Sequence, residues 1–247
     1  MAKIKPGVAT GEEYAALVEA CKTGGYALPA VNISDVNTLN AALESAAQTK
    51  SDIIIQMSNG GAGFFGGPAI GTMDMKVKGA ISAARHVHLM AEDYGVAVIL
   101  HTDHANRKLL PWIDGMMDYN EAAKKETGKP LFSSHMIDLS EEAIDDNIGT
   151  CVDYLKRMAA SDISLEIELG VTGGEEDGVG ADLEEGADNA HLYTQPEDVL
   201  QAYDALKDIG HFSVAASFGN VHGVYKPGNV KLRPEILINS QKMVEEQ

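Results

Sequence analysis

The sequence has few cysteines and no long hydrophobic run, and both absences restrict what the protein can be. Two cysteines in 247 residues, Cys21 and Cys151, cannot form the framework of a disulfide-stabilised secreted domain. No stretch approaches the ~20 consecutive apolar residues of a membrane span, and the first residues lack the apolar segment of a signal peptide. We therefore expect a cytoplasmic protein that does not enter a membrane.

Basic residues are also scarce. The chain carries 19 lysines and arginines against 37 aspartates and glutamates, which gives a formal net charge of −18. A field of this sign repels nucleic acids and anionic membrane surfaces, so we expect neither as a partner. Acidity is often only a solubility feature. A phosphorylated small-molecule substrate is still compatible with it, because a local group of backbone N–H donors can hold a phosphate.

The hydrophobic pattern alternates between strands and helices. Six short apolar runs predict strands, at Ala27–Ile33, Asp52–Ser58, Ala97–Asp103, Leu131–Asp138, Ser164–Gly170 and Phe212–Gly219. Helical patterns lie at residues 10–24, 35–49, 77–94, 109–127, 140–158, 194–209 and from 234 onward, the first with a capping-box start at Thr10. This alternation predicts one α/β domain around a parallel sheet. Two long glycine-rich loops, 59–75 and 171–193, follow strands, which is where ligand sites lie in such sheets.

Polar residues collect where the predicted strands end. The third strand closes with HTDH at residues 101–104, in which His104 offers an imidazole for a metal and Asp103 a carboxylate for proton transfer. The same four residues also fit a solvated strand end. Residues Glu166 and Glu168 are two apart in the fifth strand and share one face. A buried carboxylate pair needs a cation or an ion pair, and since none of the six runs contains Lys or Arg, we favour a cation site.

Two further segments carry candidate groups with more than one interpretation. Glu175 and Glu176 follow two glycines in a long loop, which fits either an exposed acidic turn or a mobile loop carrying a general base. His222 follows the last strand between glycine-rich flanks, either as a second metal ligand opposite His104 or as an ordinary loop histidine. His86 and His88 lie within a predicted helix, and we expect them to be packing or surface residues.

Taken together, these motifs resemble those of class II, metal-dependent fructose-bisphosphate aldolases of the longer bacterial and fungal type. The resemblance covers the chain from Lys5 onward, and its motifs occur in order: AVN at 30–32, QMSNGG at 56–61, HTDH at 101–104, SSHMIDLS at 133–140, LEIELG at 165–170, TGGEED at 172–177 and GNVHGVYKPG at 219–228. Residues 64–76 match the family's pattern least well.

The resemblance implies a TIM (β/α)8 barrel that cleaves fructose 1,6-bisphosphate reversibly to dihydroxyacetone phosphate and glyceraldehyde 3-phosphate. It implies zinc or another divalent metal, a nearby monovalent cation, a phosphorylated sugar substrate and a homodimer. The resemblance implies that His104 and His222 bind the metal and that Glu168 and Asp138 are carboxylates near a second metal position. It implies that Asp103 is the acid for the aldehyde oxygen and that Glu176, with Glu175 beside it, carries out proton exchange. Substrate or cation contacts are implied for Asn32, Ser58 and Gly223.

The chain departs from the family at its C-terminal end. The family's third zinc histidine lies in an HGGSG-like turn after a seventh strand, and this sequence stops at Gln247 before such a turn. We therefore expect residues 1–247 to form a single, C-terminally incomplete barrel domain with about six of eight strand units and open sheet edges. For the isolated chain we expect weak metal binding and little or no aldolase activity.

Several alternatives stay open at this point. The chain is either the front part of a longer enzyme, which we favour, a short variant that closes by pairing with another chain, or a non-catalytic remnant that acts as an interaction module. Tagatose-bisphosphate aldolase shares the metal chemistry and differs in the stereochemistry of one hydroxyl. A metal-dependent barrel hydrolase is compatible with the HTDH motif alone.

Overall fold

The computed structural model describes residues 4–172, 174–176, 179–181, 192–223 and 231–247. Its strands are β1 (Gly7–Val8), β2 (Ala30–Asn32), β3 (Ile53–Met57), β4 (Ala97–Thr102), β5 (Ser134–Ile137), β6 (Ser164–Leu169), β7 (Gly174–Glu176), β8 (Val179–Ala181) and β9 (Phe212–Ala216). Its helices are α1 (Glu12–Gly24), α2 (Val36–Thr49), α3 (Asn59–Gly66), α4 (Met73–Tyr94), α5 (Leu110–Thr127), α6 (Ile144–Ala159), α7 (Pro196–Leu206) and α8 (Glu235–Glu245), with a 3₁₀ turn at Arg107–Leu109. None of the described helices is long and apolar enough to cross a membrane.

The main sheet is parallel and has the order β2-β3-β4-β5-β6-β9. Each of these six strands lies within one of the runs predicted from the sequence, so the α/β architecture and the count of six are confirmed. All six are shorter than predicted, by one to four residues. Among the described strands, β2 and β9 end the sheet without pairing to each other, and their residues are half-buried or exposed.

Both faces of the sheet are covered, and strand β4 shows how the sequence achieves this. Val98 and Leu100 belong to the large core between the sheet and its surrounding helices. Ala97 and Ile99, on the opposite face, pack with Leu17 of α1 in a smaller cluster. Because side chains alternate along a strand, β4 is apolar at every position up to Leu100. The same alternation places His101 on the inner face of the sheet, with Ala97 and Ile99, and Thr102 on the outer face, with Val98 and Leu100.

The N-terminal segment differs from its prediction. Residues 7 and 8 form the short strand β1, which pairs with the start of β4. The capping box expected at Thr10 is wrong, since α1 is preceded by Gly11 at φ 52° and has no side-chain cap. A tertiary contact decides this start, because the Gly11 N–H donates to the Asp162 carbonyl oxygen at 3.0 Å. A Cβ on Gly11 would lie 3.1 Å from the Cβ of Asp162.

The region predicted as a long loop after β3 is mostly helical. Ser58 caps α3 by accepting a hydrogen bond from the Gly61 N–H, and Thr72 caps α4 in the same way from the Met75 N–H. The two helices cross so closely that a Cβ on Gly79 would lie 2.0 Å from the carbonyl oxygen of Ala62. This contact holds the N-terminus of α3 beside the carboxyl ends of the strands.

The histidines within α4 have packing roles, as expected. His86 Nε2 lies 2.8 Å from Asn40 Oδ1 of α2, and His88 Nε2 lies 2.9 Å from the carbonyl oxygen of Leu131. Burial lowers the pKa of His88. Both side chains therefore fasten α4 to neighbouring segments, and neither lines the large cavity at the strand ends.

Candidate active site

Acidic and histidine side chains converge at the carboxyl ends of β4, β5 and β6. Asp103 and His104 follow β4 directly, Asp138 follows β5, and Glu168 is the second-last residue of β6. Since these strands are parallel neighbours, their carboxyl ends share one edge of the sheet. Asp103 is 7% exposed and Glu168 only 3% exposed, so these two carboxylates lie largely out of contact with bulk water, whereas His104 and Asp138 are half-buried.

His104 lies at the centre of this cluster. Its Nδ1 is 2.9 Å from Asp138 Oδ2 and 2.8 Å from Glu168 Oε2, while its Nε2 is 3.8 Å from Asp103 Oδ1. The potential ligand atoms of His104, Asp138 and Glu168 all lie within 4.8 Å of one another. The ring of His222 meets the His104 ring edge-on, with the centroids 5.1 Å apart. Side chains from three strand ends and from the segment after β9 therefore meet at His104.

The charges of the cluster favour a cation at that point. Burial opposes a charge on His104, yet the neighbouring carboxylates outweigh it and raise the pKa of the imidazole to about 11. Burial raises the pKa of Glu168 to about 7, and the negative charge of Asp138 adds to this effect. Burial also acts to raise the pKa of Asp138, but hydrogen bonds from His104 and Ser140 lower it to about 2. Carboxylates thus outnumber the single imidazolium that they surround.

The donor set fits a divalent metal ion. Among the described residues, no group donates a hydrogen bond to the buried Glu168 Oε2: His104 Nδ1 lies 2.8 Å from it but is hydrogen-bonded to Asp138 Oδ2. A buried carboxylate oxygen without such a donor carries a free-energy penalty that a bound cation removes. Imidazole nitrogen and carboxylate oxygen are the donors that zinc and similar metals take in proteins.

Asp103 is held separately from this donor set. Asn32, the last residue of β2, donates from Nδ2 to Asp103 Oδ2 at 2.8 Å. The two residues are 71 positions apart, and the contact forms because β2 and β4 both flank β3. The hydrogen bond orients the carboxylate and leaves Oδ1 on the His104 side.

A cavity of about 650 Å³ opens over the cluster. Its lining includes Asp103, His104, Asp138, Glu168 and His222, with Ser58 and the first residues of α3 at one end. Basic residues also line it, namely Lys76 of α4 with Arg107 and Lys108. The cavity therefore combines a candidate cation centre with nearby positive side chains.

Most of the site residues predicted from the sequence come together here, with some exceptions. Glu175 and Glu176 lie in the antiparallel hairpin of β7 and β8, and their side chains lie outside the described part of the chain. Gly223 follows His222 with φ 83°, in the left-handed region. The cation site expected for the Glu166 and Glu168 pair is wrong for Glu166, which instead accepts a hydrogen bond from Ser213 at 3.0 Å.

His101 and His135 are also near the strand ends but have other partners. His101 Nδ1 lies 2.7 Å from Ser134 Oγ. His135 Nδ1 lies 2.8 Å from Thr102 Oγ1, and its Nε2 lies 3.0 Å from Asn120 Nδ2. Both ring nitrogens of His135 are therefore engaged on the outer face of the sheet. The Thr102 and Asn120 side chains thus occupy the two positions through which the His135 ring could bind a metal.

Sequence reasoning missed several residues that support the cluster. Ser140 Oγ donates to Asp138 Oδ1 at 2.7 Å, and Thr172 Oγ1 donates to Glu168 Oε1 at 3.0 Å. A hydroxyl two or four residues after a carboxylate is a weak but readable signal for such a bond. Lys76 is in none of the motifs that carry the resemblance, and the crossing of α3 and α4 brings it to the cavity.

Comparisons with known proteins agree with this geometry. The family model of class-II fructose-bisphosphate aldolase matches residues 12–246. The fructose-bisphosphate aldolase of Campylobacter jejuni is 56% identical over 244 residues, and the alignment covers 98% of this chain and 68% of that protein. The class 2 enzyme of Escherichia coli K12 is 54% identical, with 98% and 67% covered. The Saccharomyces cerevisiae aldolase is 52% identical, with 99% and 68% covered.

A solved structure shares the fold as well as the sequence. The crystal structure of the Campylobacter jejuni aldolase superposes with a TM-score of 0.85 at 54% identity, covering 98% of this chain and 67% of that chain. The six-stranded parallel sheet is thus part of a TIM-barrel-like architecture. On the family match and these identities, the chain belongs to the class II fructose-bisphosphate aldolase family.

Proposed function

We propose that this chain acts in the reversible cleavage of fructose 1,6-bisphosphate to dihydroxyacetone phosphate and glyceraldehyde 3-phosphate. The observation that carries the proposal is the cluster of His104, Asp138 and Glu168 at the carboxyl ends of neighbouring strands. It occurs in a chain 56% identical to a fructose-bisphosphate aldolase. A cytoplasmic location and a homodimer, which the resemblance implies, belong to the same proposal.

In this proposal His104 and His222 hold a divalent metal, for which we propose zinc. Glu168 and Asp138 lie against His104 at 2.8 and 2.9 Å and would hold a second, displaced metal position. The bound metal would supply a Lewis acid that polarises the substrate carbonyl, so that no Schiff-base lysine is needed. The buried Glu168 oxygen and the excess of carboxylates support this assignment.

Asp103 is the proposed acid for the aldehyde oxygen. In the cleavage direction it accepts the hydroxyl proton as the carbon–carbon bond breaks, and in the synthetic direction it returns that proton. The hydrogen bond from Asn32 supports this role, because it holds one carboxylate oxygen and leaves the other on the His104 side. Asp103 also lines the cavity that would admit the sugar.

The remaining roles rest on the resemblance. Glu176, with Glu175 beside it, is the proposed base for proton exchange at the ketose carbon. Asn32 and Ser58 are proposed substrate contacts, and Ser58 lines the cavity. Gly223 is proposed to lie near the monovalent cation and the phosphate.

The test measures zinc binding and aldol cleavage together. Because the chain spans 67–68% of the length of its relatives, the assay adds the remaining C-terminal third of the Campylobacter jejuni enzyme as a separate polypeptide. We expect little cleavage by the chain alone and measurable cleavage by the mixture in a coupled assay. His104→Ala should abolish cleavage and weaken zinc binding in calorimetry of the chain alone.

The matched control is His211→Ala, which removes an exposed histidine remote from the cavity lining. It should leave zinc affinity and cleavage unchanged. Equal zinc affinity in the unaltered protein and the His104→Ala variant would contradict the metal assignment. Faster cleavage of tagatose 1,6-bisphosphate than of fructose 1,6-bisphosphate would overturn the substrate assignment while keeping the reaction class.

A further inference from the structure

The ammonium group of Lys76 lies at one end of the cavity, where the first residues of α3 form the wall. Lys76 belongs to the first turns of α4 and lines the cavity together with Ser58, Asn59 and Gly60. Its Nζ donates to Asn59 Oδ1 at 2.6 Å. Asn59 is buried and Lys76 is half-buried, and both line the cavity.

The crossing of the two helices positions this side chain. The stem of Lys76 lies along Gly63 of α3, where an added Cβ would be 3.3 Å from Lys76 Cγ and 3.5 Å from its Cε. The glycine therefore leaves room for the lysine stem beside α3. A lysine that buries its stem against a helix presents its charged end at a defined place.

The charge of Lys76 is not neutralised by the described protein. Within the described residues, no carboxylate lies within 4.0 Å of its Nζ, and its hydrogen-bond partner is a neutral amide. By contrast, Lys78 two positions later pairs with Asp74 at 2.7 Å, and Arg107 forms an ion pair with Glu142. An ammonium has three donors, so Lys76 has donors left for an anion in the cavity.

The surroundings of Lys76 add to its preference for an anion. The N-terminus of α3, capped by Ser58, lies at the same end of the cavity. The partial positive charge of a helix N-terminus favours negative groups. Lys76 and this helix end therefore place positive charge on the same part of the cavity wall.

We propose that Lys76 binds one phosphate group of the sugar bisphosphate at the α3 end of the cavity. The identity of the ligand as a sugar phosphate rests on the proposed function, whereas the anion site rests on Lys76 and its surroundings alone. The resemblance assigns no role to Lys76, so this contact adds to the roles that the resemblance implies.

The test is isothermal titration calorimetry of the 247-residue chain with fructose 1,6-bisphosphate, fructose 1-phosphate, fructose 6-phosphate and inorganic phosphate. Lys76→Met should weaken bisphosphate binding by about 10- to 100-fold, as expected for the loss of one charge-assisted hydrogen bond. It should weaken binding of only one of the two monophosphates. The control Lys78→Met removes a charge from the same helix and should change each affinity by less than about 2-fold.

Thermal unfolding without ligand separates an effect on binding from an effect on folding. We expect Lys76→Met to have the same melting temperature as the unaltered protein. Equal effects of Lys76→Met and Lys78→Met, or an equal loss for both monophosphates, would overturn the proposal. Binding of inorganic phosphate that depends on Lys76, without preference for the bisphosphate, would keep the anion site and refute the proposed substrate. Absence of binding by all four probes would refute the anion site itself.

Discussion

Replacing His135 by glutamine tests whether this buried histidine is a neutral structural group or a metal ligand. Asn120 Oδ1 accepts hydrogen bonds from the backbone N–H groups of Leu131 and Phe132, both at 3.0 Å. Asn120 Nδ2 is therefore the donor to His135 Nε2, and the ring proton must lie on Nδ1, which faces Thr102. The side chain is fully buried in this neutral form.

The size of the effect follows from the pKa of His135. Burial, with a smaller contribution from His101, lowers this pKa from 6.5 to about 3. Between these values the unfolded chain takes up a proton that the folded chain does not, so the free energy of unfolding falls as the pH falls. Each pH unit costs about 1.4 kcal/mol. The stabilisation is fully present above pH 6.5, and about 2 kcal/mol of it is lost at pH 5.

The assay is urea denaturation of the unaltered protein and of His135→Gln at pH 7.5, 6.5, 5.5 and 5.0, with zinc affinity measured at pH 7.5. Glutamine does not titrate, so the variant should lack this part of the pH dependence. The difference in unfolding free energy between the two proteins should therefore shrink by about 2 kcal/mol between pH 7.5 and 5.0. Contributions from other titrating groups cancel in the difference, and zinc affinity should be the same in both proteins.

Two results would refute this reasoning. Parallel pH profiles of the two proteins would mean that His135 gains a proton equally easily in the folded and unfolded states. A tenfold or larger loss of zinc affinity in His135→Gln would make the histidine a metal ligand, in conflict with its hydrogen bonds to Thr102 and Asn120.

Three further substitutions test the site and its support. Glu168→Gln should lower zinc affinity by about 10- to 100-fold, the usual cost of losing a group that supports a bound metal. A change below threefold in calorimetry would exclude a contribution of Glu168 to the metal site. Asn32→Ala should reduce cleavage by the complemented enzyme about 10-fold or more, because the hydrogen bond to Asp103 is lost. Zinc affinity should be unchanged, and an equal loss of zinc binding would point to a general structural defect. Gly79→Ala should destabilise the fold by at least about 3 kcal/mol in urea denaturation, because its Cβ would lie 2.0 Å from a carbonyl oxygen of α3. Gly149→Ala, whose Cβ meets nothing within 4 Å in α6, should be neutral or stabilising by about 0.5–1 kcal/mol, and an equal loss in both variants would contradict the packing argument.

The sequence by itself determined the layered α/β architecture and the identity of the central cluster. Apolar runs of strand length recur between amphipathic helical segments. This pattern is visible in the sequence because each strand or helix must bury its apolar face in the core. The polar residues that end these runs, among them His104 and Asp138, must meet at one edge because parallel neighbouring strands point the same way. Motif order then sufficed to indicate the family.

Only the tertiary structure decided which partners these residues have. Glu166 and Glu168 look equivalent in the sequence, yet one accepts from Ser213 and the other lies against His104, because they sit at different depths along β6. Lys76 reaches the cavity because α3 and α4 cross. The hydrophobic pattern of each helix does not predict that it packs against the other. Hydrogen bonds and charges act over a few ångströms in space, so pairings of this kind are set by packing and not by local pattern.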